Sequence, residues 1–179
     1  MGILYFLIII ISLIILGFLV YVWDDLFGGE DYATSKSTIK KISEIILAHG
    51  AENYLLYDLG SSRGGFLLGL LDTCPNLQTV GIDNSSVRTF IARLRGLLHK
   101  NKPKNFKADL FSIDISKVDM VYAYLPRPML PALEEKLRKE LKSGALAITS
   151  RVFFPTWIPI ATFAKNSSKE EDIFLYKKI

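Results

Sequence analysis

Residues 54–66 have the sequence YLLYDLGSSRGGF, and this stretch decides the fold class. Tyr54–Leu59 is a short apolar run that ends at Gly60, which is typical of a buried strand. After a loop of small residues, Gly65–Leu71 continues as a helix and ends at the turn Cys74-Pro75-Asn76. The stretch therefore predicts a buried strand, a tight loop and a helix, the repeating unit of an α/β domain.

The elements on both sides of this stretch continue the alternation of strands and helices. Further helices are predicted at Ser37–His49, Ser85–His99 and Leu130–Leu141. In the second of these helices, one face is apolar and comprises Val87, Phe90, Ile91, Leu94 and Leu97. Further strands are predicted at Gln78–Ile82, Asn105–Ala108, Val118–Tyr124, Ala145–Thr149 and Asp172–Lys177. This order predicts an α/β fold with a Rossmann-like, doubly wound, mostly parallel sheet.

The residues before this body form one apolar segment. In Met1–Trp23, 20 of 23 residues are hydrophobic, against about 45% of the remaining 156 residues. Ile3–Val22 carries no charge, and its 20 residues would form roughly 30 Å of helix, which matches the hydrocarbon core of a bilayer. Tyr21 and Trp23 close the segment with rings that favour the headgroup layer. We predict a transmembrane anchor at residues 1–23 that contacts the bilayer through residues 3–22.

A cleaved signal peptide and a buried core helix are the alternatives for this segment. A signal peptide begins with basic residues and ends in small ones, whereas the first basic residue here is Lys36 and Val20–Trp23 is bulky. Asp24–Ser35 holds four acids and no base, so it is predicted to be an acidic linker before a domain at residues 36–179. Because Lys36, Lys40 and Lys41 follow the span, we expect a single-pass protein whose domain faces the cytoplasm or an equivalent inner compartment.

Composition excludes several classes of protein. One cysteine excludes a disulfide framework within the chain, and the apolar content of the body excludes a disordered chain. From Lys36 onward the chain has 22 basic and 14 acidic residues, a net charge of +8 that attracts an anionic membrane surface. Only Lys100–Lys107 is a basic cluster, so nucleic acid is not the expected partner. No spacing of His, Cys and acidic residues predicts a metal site.

The loop after the first strand fits a ligand-binding pattern. Asp58, Gly60, Ser62 and Gly64 match acid-x-G-x-G-x-G, the pattern of S-adenosylmethionine-binding loops, with serine in place of the middle glycine. The G-x-G-x-x-G pattern of dinucleotide-binding loops is also incomplete at Ser62. Small residues let the backbone approach a ligand, and the following helix directs its free N–H groups towards it.

Two more acids end the next two strands. Asp83 lies 23 positions after Gly60, where an acid accepts hydrogen bonds from both ribose hydroxyls of NAD or of S-adenosylmethionine. Asp109 follows the third strand, where methyltransferases meet the adenine amine. Acids at three strand ends favour a methyltransferase over an NAD-binding protein, which stays a weaker alternative. The predicted cofactor-binding set is completed by Ser61, Arg63, Asn84 and Leu110.

The body resembles the class I S-adenosylmethionine-dependent methyltransferases, from roughly Tyr32 to the C-terminus. More closely, it resembles the small membrane-anchored protein-lysine methyltransferases. That family includes the mitochondrial enzyme acting on the ATP synthase c-subunit, and it has archaeal and bacterial relatives. Five stretches resemble motifs of this family. Tyr57–Gly64 resembles YDLGSGDG, and Val80–Asn84 resembles VG-[IVF]-[ED]-[NL]. Leu133–Thr149 resembles LxxKLxxELxPGxRVIS, Phe153–Trp157 resembles aromatic-Pro-x-Trp, and Tyr32–Ser35 resembles Y-V-P-T/S. The resemblance implies S-adenosylmethionine as cofactor and lysine of a protein at the membrane as acceptor.

The sequence departs from this family at two adjacent positions. Ser62 replaces a glycine, and Arg63 replaces an acid that helps to hold the cofactor's ammonium group. A pairing of Arg63 with the cofactor's carboxylate is a hypothesis that follows from this exchange. The departures keep a catalytically inactive cofactor-binding or scaffold module as an alternative, beside a lipid or quinone methyltransferase.

The end of the fourth strand supplies the candidates for catalysis. Tyr122-Ala123-Tyr124-Leu125-Pro126 occupies the edge that faces the transferred methyl group in methyltransferases. Lysine, with an ordinary pKa of about 10.4, must lose its proton before its lone pair can attack the methyl carbon. We predict that Tyr124 and Pro126 position the acceptor, with a packed strand aromatic as the alternative for Tyr124. Trp157 is predicted to pack in the core, with the acceptor pocket as its alternative.

Overall fold

The structure, a computed structural model, describes residues 2–27, 32–51, 53–168 and 170–179, apart from the side chain of Phe27. The chain forms two compact units, Met1–Asp31 and Tyr32–Ile179. The first contains helix α1 (Gly2–Phe27), and most of its apolar side chains are exposed. Its segment Gly2–Leu26 is long and apolar enough to cross a membrane, a property that signal sequences share. The predicted apolar N-terminal helix is confirmed, and its role as an anchor stays a prediction.

The second unit is built on a seven-stranded sheet. Its strands are β1 (Leu55–Leu59), β2 (Gln78–Asp83), β3 (Lys104–Lys107), β4 (Met120–Ala123), β5 (Leu146–Ser150), β6 (Ala161–Phe163) and β7 (Ile173–Lys177). Their order is β3-β2-β1-β4-β5-β7-β6, parallel from β3 to β5, with β7 antiparallel to both of its neighbours. The winding direction changes between β1 and β4. The predicted doubly wound, mostly parallel sheet is confirmed.

Strand β1 lies at this switch point and sets the position of the site. Parallel pairing places Asp58 beside Gly81 of β2 and beside Tyr122 of β4. In a doubly wound sheet, the crevice at the carboxyl ends of the strands opens at the switch point. The predicted site residues that follow β1, β2 and β4 therefore lie along one edge of the sheet.

Apolar side chains attach helices to both faces of the sheet. On one face, α2 (Lys36–Ala48) and α3 (Gly65–Thr73) share a buried cluster with residues of the central strands. On the other face lies α5 (Leu130–Glu140), which a short 3₁₀ helix (Arg127–Met129) precedes. Fully burying one Leu or Ile side chain contributes roughly 1.5–3 kcal/mol, so the two clusters supply most of the stabilisation that positions the strand ends.

Helix α4 (Ser86–Leu97) forms where a helix was predicted, but its apolar face does not enter the core. Of its predicted face, Phe90, Leu94 and Leu97 are exposed and Val87 and Ile91 are half-buried, whereas the buried residues of the helix are Arg88, Thr89, Ala92 and Gly96. The physical reason is close approach. A Cβ atom on Gly64 would lie 3.1 Å from Ala92 Cβ, and one on Gly96 would lie 3.5 Å from the Pro103 ring. The small residues Ala92 and Gly96 make this close contact, and Phe90, Leu94 and Leu97 stay on the outer side of the helix.

Other boundaries differ from the sequence predictions in smaller ways. Strand β6 was not predicted, because three residues are too few to show a period. Helix α1 continues through Asp24 to Phe27, residues 28–31 lie outside the described residues, and Tyr32–Ser35 belongs to the second compact unit. The acidic linker over Asp24–Ser35 and a domain boundary at residue 36 stay predictions.

Candidate functional site

The loop between β1 and α3 is a tight turn fixed by backbone hydrogen bonds. The amides of Gly60 and Ser61 both donate to the Ile82 carbonyl at 2.9 Å, and the Gly64 amide donates to the Ser61 carbonyl at 2.9 Å. Gly60 and Gly64 have φ of +86° and +74°, values that favour glycine. Ser62 also has a left-handed φ, +45°. The serine therefore preserves the backbone path that a glycine would take, at a cost in strain.

The carboxylate of Asp83 holds this loop against the start of α4. Its Oδ2 accepts a hydrogen bond from the Ser62 amide at 2.9 Å, and its Oδ1 accepts one from the Ser85 amide at 2.8 Å. Ser85 in turn caps α4, since its hydroxyl accepts from the Arg88 amide at 3.2 Å. An ionised carboxylate has about four acceptor positions, so two remain for a ligand. Asp83 therefore both organises the loop and keeps the capacity to accept from hydroxyl groups.

Asp58 is the buried acid of the site, with 3% of its surface exposed. Its Oδ2 has no hydrogen-bond partner among the described residues. Burial, and secondly the nearby carboxylate of Asp83, raise the pKa of Asp58 well above its ordinary value. A buried polar atom without a partner is costly, and such perturbed groups are concentrated at functional sites. The two acids make this end of the sheet suited to a ligand with a positive charge.

Two residues outside the predicted site complete the floor of the loop. A Cβ atom on Gly81 would overlap Asn105 Oδ1 and would lie 2.7 Å from Ser61 Oγ. Asn105 is buried, and its Oδ1 has no hydrogen-bond partner in the described part of the chain. Gly81 is thus required for the loop to lie on β2. Its signal was present in the V-G-I-D block beside the acid, whereas nothing in the sequence distinguished Asn105.

The remaining predicted cofactor residues lie around this core with different exposures. Asp109 is exposed, and its Oδ1 accepts from the Phe111 amide at 3.0 Å, the geometry of a turn. Asn84 is exposed, Leu110 is buried in an apolar cluster, and Arg63 is half-buried. The carbonyl of Arg63 accepts a hydrogen bond from the Arg95 guanidinium at 2.8 Å. Their roles with a cofactor stay predictions.

Tyr122 of β4 connects three segments beneath the site. Its ring stacks on Phe66 with centroids 3.7 Å apart, and its hydroxyl donates to Ser150 Oγ at 3.0 Å. Thr34 Oγ1 lies 2.8 Å from the same hydroxyl. Burial raises the pKa of Tyr122 above its ordinary value, so the phenol keeps its proton. This network attaches the Tyr32–Ser35 segment to the ends of β4 and β5.

Tyr124, the predicted positioning residue, lies in an aromatic and cationic cluster. The Tyr32 ring stacks on it with centroids 5.2 Å apart, and the Arg151 guanidinium carbon lies 5.5 Å from the Tyr32 centroid. A hydrogen bond between Arg151 and Tyr124 raises the pKa of Arg151. Arg151 has φ +68°, an uncommon backbone for arginine. The sequence marked Tyr32 only by a weak motif, and nothing marked Arg151.

Two other sequence candidates have mainly structural contacts. The Pro126 carbonyl accepts from the Met129 amide at 3.0 Å, which starts the 3₁₀ helix. Trp157 is 9% exposed and stacks with Phe154 and packs against Tyr176, at centroid distances of 5.8 and 5.3 Å. These contacts agree with core packing for Trp157. Within the described residues, no group of three or more His, Cys, Asp and Glu side chains could hold a metal ion.

Comparison with known proteins identifies relatives of this domain. Residues 58–161 match the family model of the ANTKMT methyltransferase domain. The lysine N-methyltransferase of the ATP synthase c-subunit from Xenopus laevis is 24% identical over 134 residues, which cover 73% of this chain and 58% of that protein. The protein-lysine N-methyltransferase of Saccharolobus islandicus is 22% identical and covers 80% of this chain and 89% of that protein. The chain thus spans little more than half the length of the Xenopus relative.

A solved structure with the same fold is an RNA methyltransferase from Salinibacter ruber in complex with S-adenosyl-L-homocysteine. It has a TM-score of 0.72 and 24% sequence identity, and covers 82% of this chain and 93% of that chain. The family match includes the β1–α3 loop, Asp83, Asp109 and Tyr124, so it rests on the region that carries the predicted motifs. It confirms the resemblance inferred from those motifs, and the chain belongs to the family of the ANTKMT methyltransferase domain.

Proposed function

We propose that this protein is an S-adenosylmethionine-dependent protein-lysine N-methyltransferase. The observation that carries the proposal is the pair of acids at the β1–α3 loop, Asp58 and Asp83, of which Asp58 is buried with an unpartnered oxygen. S-adenosylmethionine carries a sulfonium and an ammonium group, whereas NAD carries an anionic pyrophosphate. The Asp58 carboxylate beside the loop attracts the cationic groups of the first ligand and repels a pyrophosphate at the same place, whereas Asp83 fits the ribose of either ligand. The charge at the loop therefore favours the methyl donor.

The residues at the strand ends fit the parts of this cofactor. Asp83 has acceptor capacity for two ribose hydroxyls, and Asp58 offers a carboxylate oxygen to a cationic group. Asp109 and Leu110 would lie on the adenine side, at the end of β3. When bound, S-adenosylmethionine supplies an electrophilic methyl group on sulfur. The loop residues bind and orient it, and the glycines allow the close backbone approach.

The acceptor side requires a neutral amine. The Tyr124 hydroxyl can orient the amine, and the Arg151 cation lies in the same cluster. A neighbouring positive charge lowers the pKa of a lysine amine, because the protonated form is repelled. The cluster of Tyr32, Tyr124 and Arg151 would therefore present lysine in its reactive form. The names of the relatives, which include lysine N-methyltransferases from an animal and an archaeon, support this acceptor class.

We further propose that α1 anchors the protein as a single membrane span. Its length and apolar composition support this role, and the three lysines at the start of α2 favour a domain on the cytoplasmic side or in an equivalent inner compartment. The substrate would then be a protein at or in the membrane. A lipid or quinone acceptor is the alternative that the same location allows.

Calorimetry of the full chain in lipid nanodiscs, titrated with S-adenosylmethionine and separately with NAD, tests the cofactor. We expect binding of the first and none of the second, and an absence of S-adenosylmethionine binding at millimolar ligand would refute the proposal. Labelled-methyl transfer into membrane extracts, resolved into protein and lipid fractions, then identifies the acceptor class. Label in lipid alone would overturn the lysine assignment, and binding without any transfer would indicate an inactive module.

A further inference from the structure

The outer face of α4 carries an unpartnered stripe of large apolar side chains. Phe90, Leu94, Leu97 and Leu98 are 66%, 51%, 65% and 86% exposed. Positions i, i+4, i+7 and i+8 lie on one side of a helix, so the four side chains form a continuous stripe. Helices of soluble domains normally turn such a face towards the core. We call these four residues the α4 stripe.

The helix cannot rotate to bury this stripe without losing its contact with the sheet. The opposite side of α4 consists of buried residues. On that side Ala92 lies against Gly64 and Gly96 lies against Pro103, with little room for a larger side chain. A large side chain at Ala92 would force the helix away from the β1–α3 loop, and one at Gly96 would force it away from Pro103. Because that loop carries the candidate cofactor site, the exposure of the stripe follows from the same packing that forms the site.

The stripe lies in a segment with one sign of charge. Between Asp83 and Asp109 there is no acidic residue, and there are seven basic ones: Arg88, Arg93, Arg95, Lys100, Lys102, Lys104 and Lys107. All of these except Arg88 are exposed. The Arg93 and Arg95 side chains donate to backbone carbonyls of Asn105 and Arg63 at 2.8 Å, which holds both guanidinium groups beside the helix. The Asp72 carboxylate of α3 is paired with His99 of this segment.

We propose that residues 84–108 dock on an anionic lipid bilayer, with the α4 stripe in the boundary between headgroups and acyl chains. Apolar side chains flanked by Lys and Arg are the composition of surfaces that lie in this boundary, because the apolar part enters it and the cations contact lipid phosphates. A second copy of the chain fits less well, since facing copies would oppose six exposed cations to six others. The proposal does not rest on lysine as the acceptor.

Docking would also fix the orientation of the site. The β1–α3 loop contacts α4 directly, so a bilayer-bound α4 holds the cofactor site at a constant distance from the membrane. Only residues 28–31 lie between α1 and the second compact unit in the chain, so a domain anchored through α1 stays near the surface. Contact between α4 and the bilayer therefore sets the orientation of the domain, and it is not needed to bring the protein to the membrane.

Site-specific fluorescence of the full chain in nanodiscs tests the docking. In a Cys74→Ser background with unchanged circular dichroism, an environment-sensitive fluorophore is attached at Leu94→Cys or, as a control, at Glu135→Cys on the exposed side of α5. Nanodiscs contain phosphatidylcholine alone or with about 30% phosphatidylserine, with brominated acyl chains as quencher. We expect about twofold quenching at position 94 in anionic discs and little at position 135.

Charge variants separate lipid docking from other causes. Lys100→Glu, Lys102→Glu and Lys104→Glu together should reduce quenching at position 94 to the level of the control label. The matched variant Lys117→Glu, Lys139→Glu and Lys177→Glu, with the same change in net charge, should leave it unchanged.

A label at position 94 that stays in water in anionic discs overturns the proposal. The proposal is also overturned if the fluorophore is shielded from water but is not quenched by the brominated acyl chains, because this result indicates that a second copy of the protein covers the α4 stripe. Since neither readout involves methyl transfer, failure here is distinguishable from failure of the proposed activity.

Discussion

The two halves of the candidate site are built in different ways. At the ends of β1 and β2, backbone hydrogen bonds and the Asp83 carboxylate fix a loop whose residues are within 25 positions of each other. At the ends of β4 and β5, ring stacking and a guanidinium group join Tyr32, Tyr124 and Arg151, which are far apart in the chain. The first half is rigid by local bonding, and the second depends on long-range packing. We infer that the first sets cofactor affinity and the second sets transfer to the acceptor.

Asp83→Asn should break the first half most strongly. An amide has one acceptor oxygen, so its NH₂ group would face either the Ser62 or the Ser85 amide, and one N–H would lose its partner. Hydrogen bonds to charged groups contribute about 1.5–3 kcal/mol, which predicts a loss of S-adenosylmethionine affinity of about 10–100-fold by calorimetry. Asp109→Asn, at an exposed turn, is the matched control and should cost only a few-fold. Equal losses at both positions would contradict the central role of Asp83.

Gly81→Val should disrupt the contact between β2 and the loop. Its side chain would overlap Asn105 and Ser61, and overpacking of this kind costs about 1–3 kcal/mol. We expect a lower denaturation midpoint together with weaker cofactor binding. Gly144→Ala is the control, because a Cβ there meets nothing within 4 Å and only its φ of +85° is strained. A Gly81→Val protein with unchanged cofactor affinity would show that the loop does not need to lie on β2.

Asp58→Asn should change the stability of the protein and its affinity for the cofactor in opposite directions, and both effects should depend on pH. Since burial raises the pKa of Asp58, the unfolded chain releases this proton at lower pH than the folded one. Its contribution to stability is therefore most favourable below the unfolded pKa, and it is lost as pH rises towards the folded pKa. The variant should be more stable than the parent at neutral pH, and this advantage should shrink near pH 4.

The same substitution should weaken cofactor binding by about tenfold at neutral pH, because an amide attracts a cationic ligand less than a carboxylate does. In the parent, a bound cation favours the ionised acid, so affinity should rise with pH, whereas the variant should show a flatter profile. Calorimetry and thermal unfolding over a pH series measure both effects. Parallel pH profiles for the two proteins would show that Asp58 does not meet the cation.

Arg151→Gln should affect the second half alone. Removal of an exposed charge changes a neighbouring interaction by about 1 kcal/mol or less, so we expect up to about a fivefold loss of transfer rate with unchanged cofactor affinity. Without the cation, the acceptor lysine keeps its proton to higher pH, and the pH profile of kcat/KM should move upward. Arg151→Lys restores the charge and should restore the profile. An unshifted profile in Arg151→Gln would remove the electrostatic role of this residue.

The difference between local bonding and long-range packing also explains which features of the fold and of the site could be predicted from the sequence. The strands and the β1–α3 loop depend on local patterns, and these predictions agree with the structure, while the cofactor role of Asp83 stays a prediction. Arg151 and Asn105 gain their positions from contacts with distant residues, which no local pattern encodes. The apolar face of α4 had the period of a core helix, but Ala92 and Gly96 pack more closely and determine which side faces the sheet. Periodicity identifies an apolar face, and the partner surface decides whether that face is buried.

Ser62→Gly is expected to have the smallest effect. It tests whether the left-handed backbone of Ser62 strains the β1–α3 loop. A left-handed backbone costs a non-glycine residue roughly 1–2 kcal/mol, and glycine adds about 0.5–1 kcal/mol of unfolded-state entropy, so the net gain should be within about 1 kcal/mol. Chemical denaturation should show a slightly higher midpoint with an unchanged slope. Ser61→Gly is the matched control and should lower the midpoint, because Ser61 has no positive φ to relieve. If both glycine variants lower it equally, Ser62 does not carry the strain that its φ indicates. The exchange of glycine for serine would then have to act through the Ser62 hydroxyl.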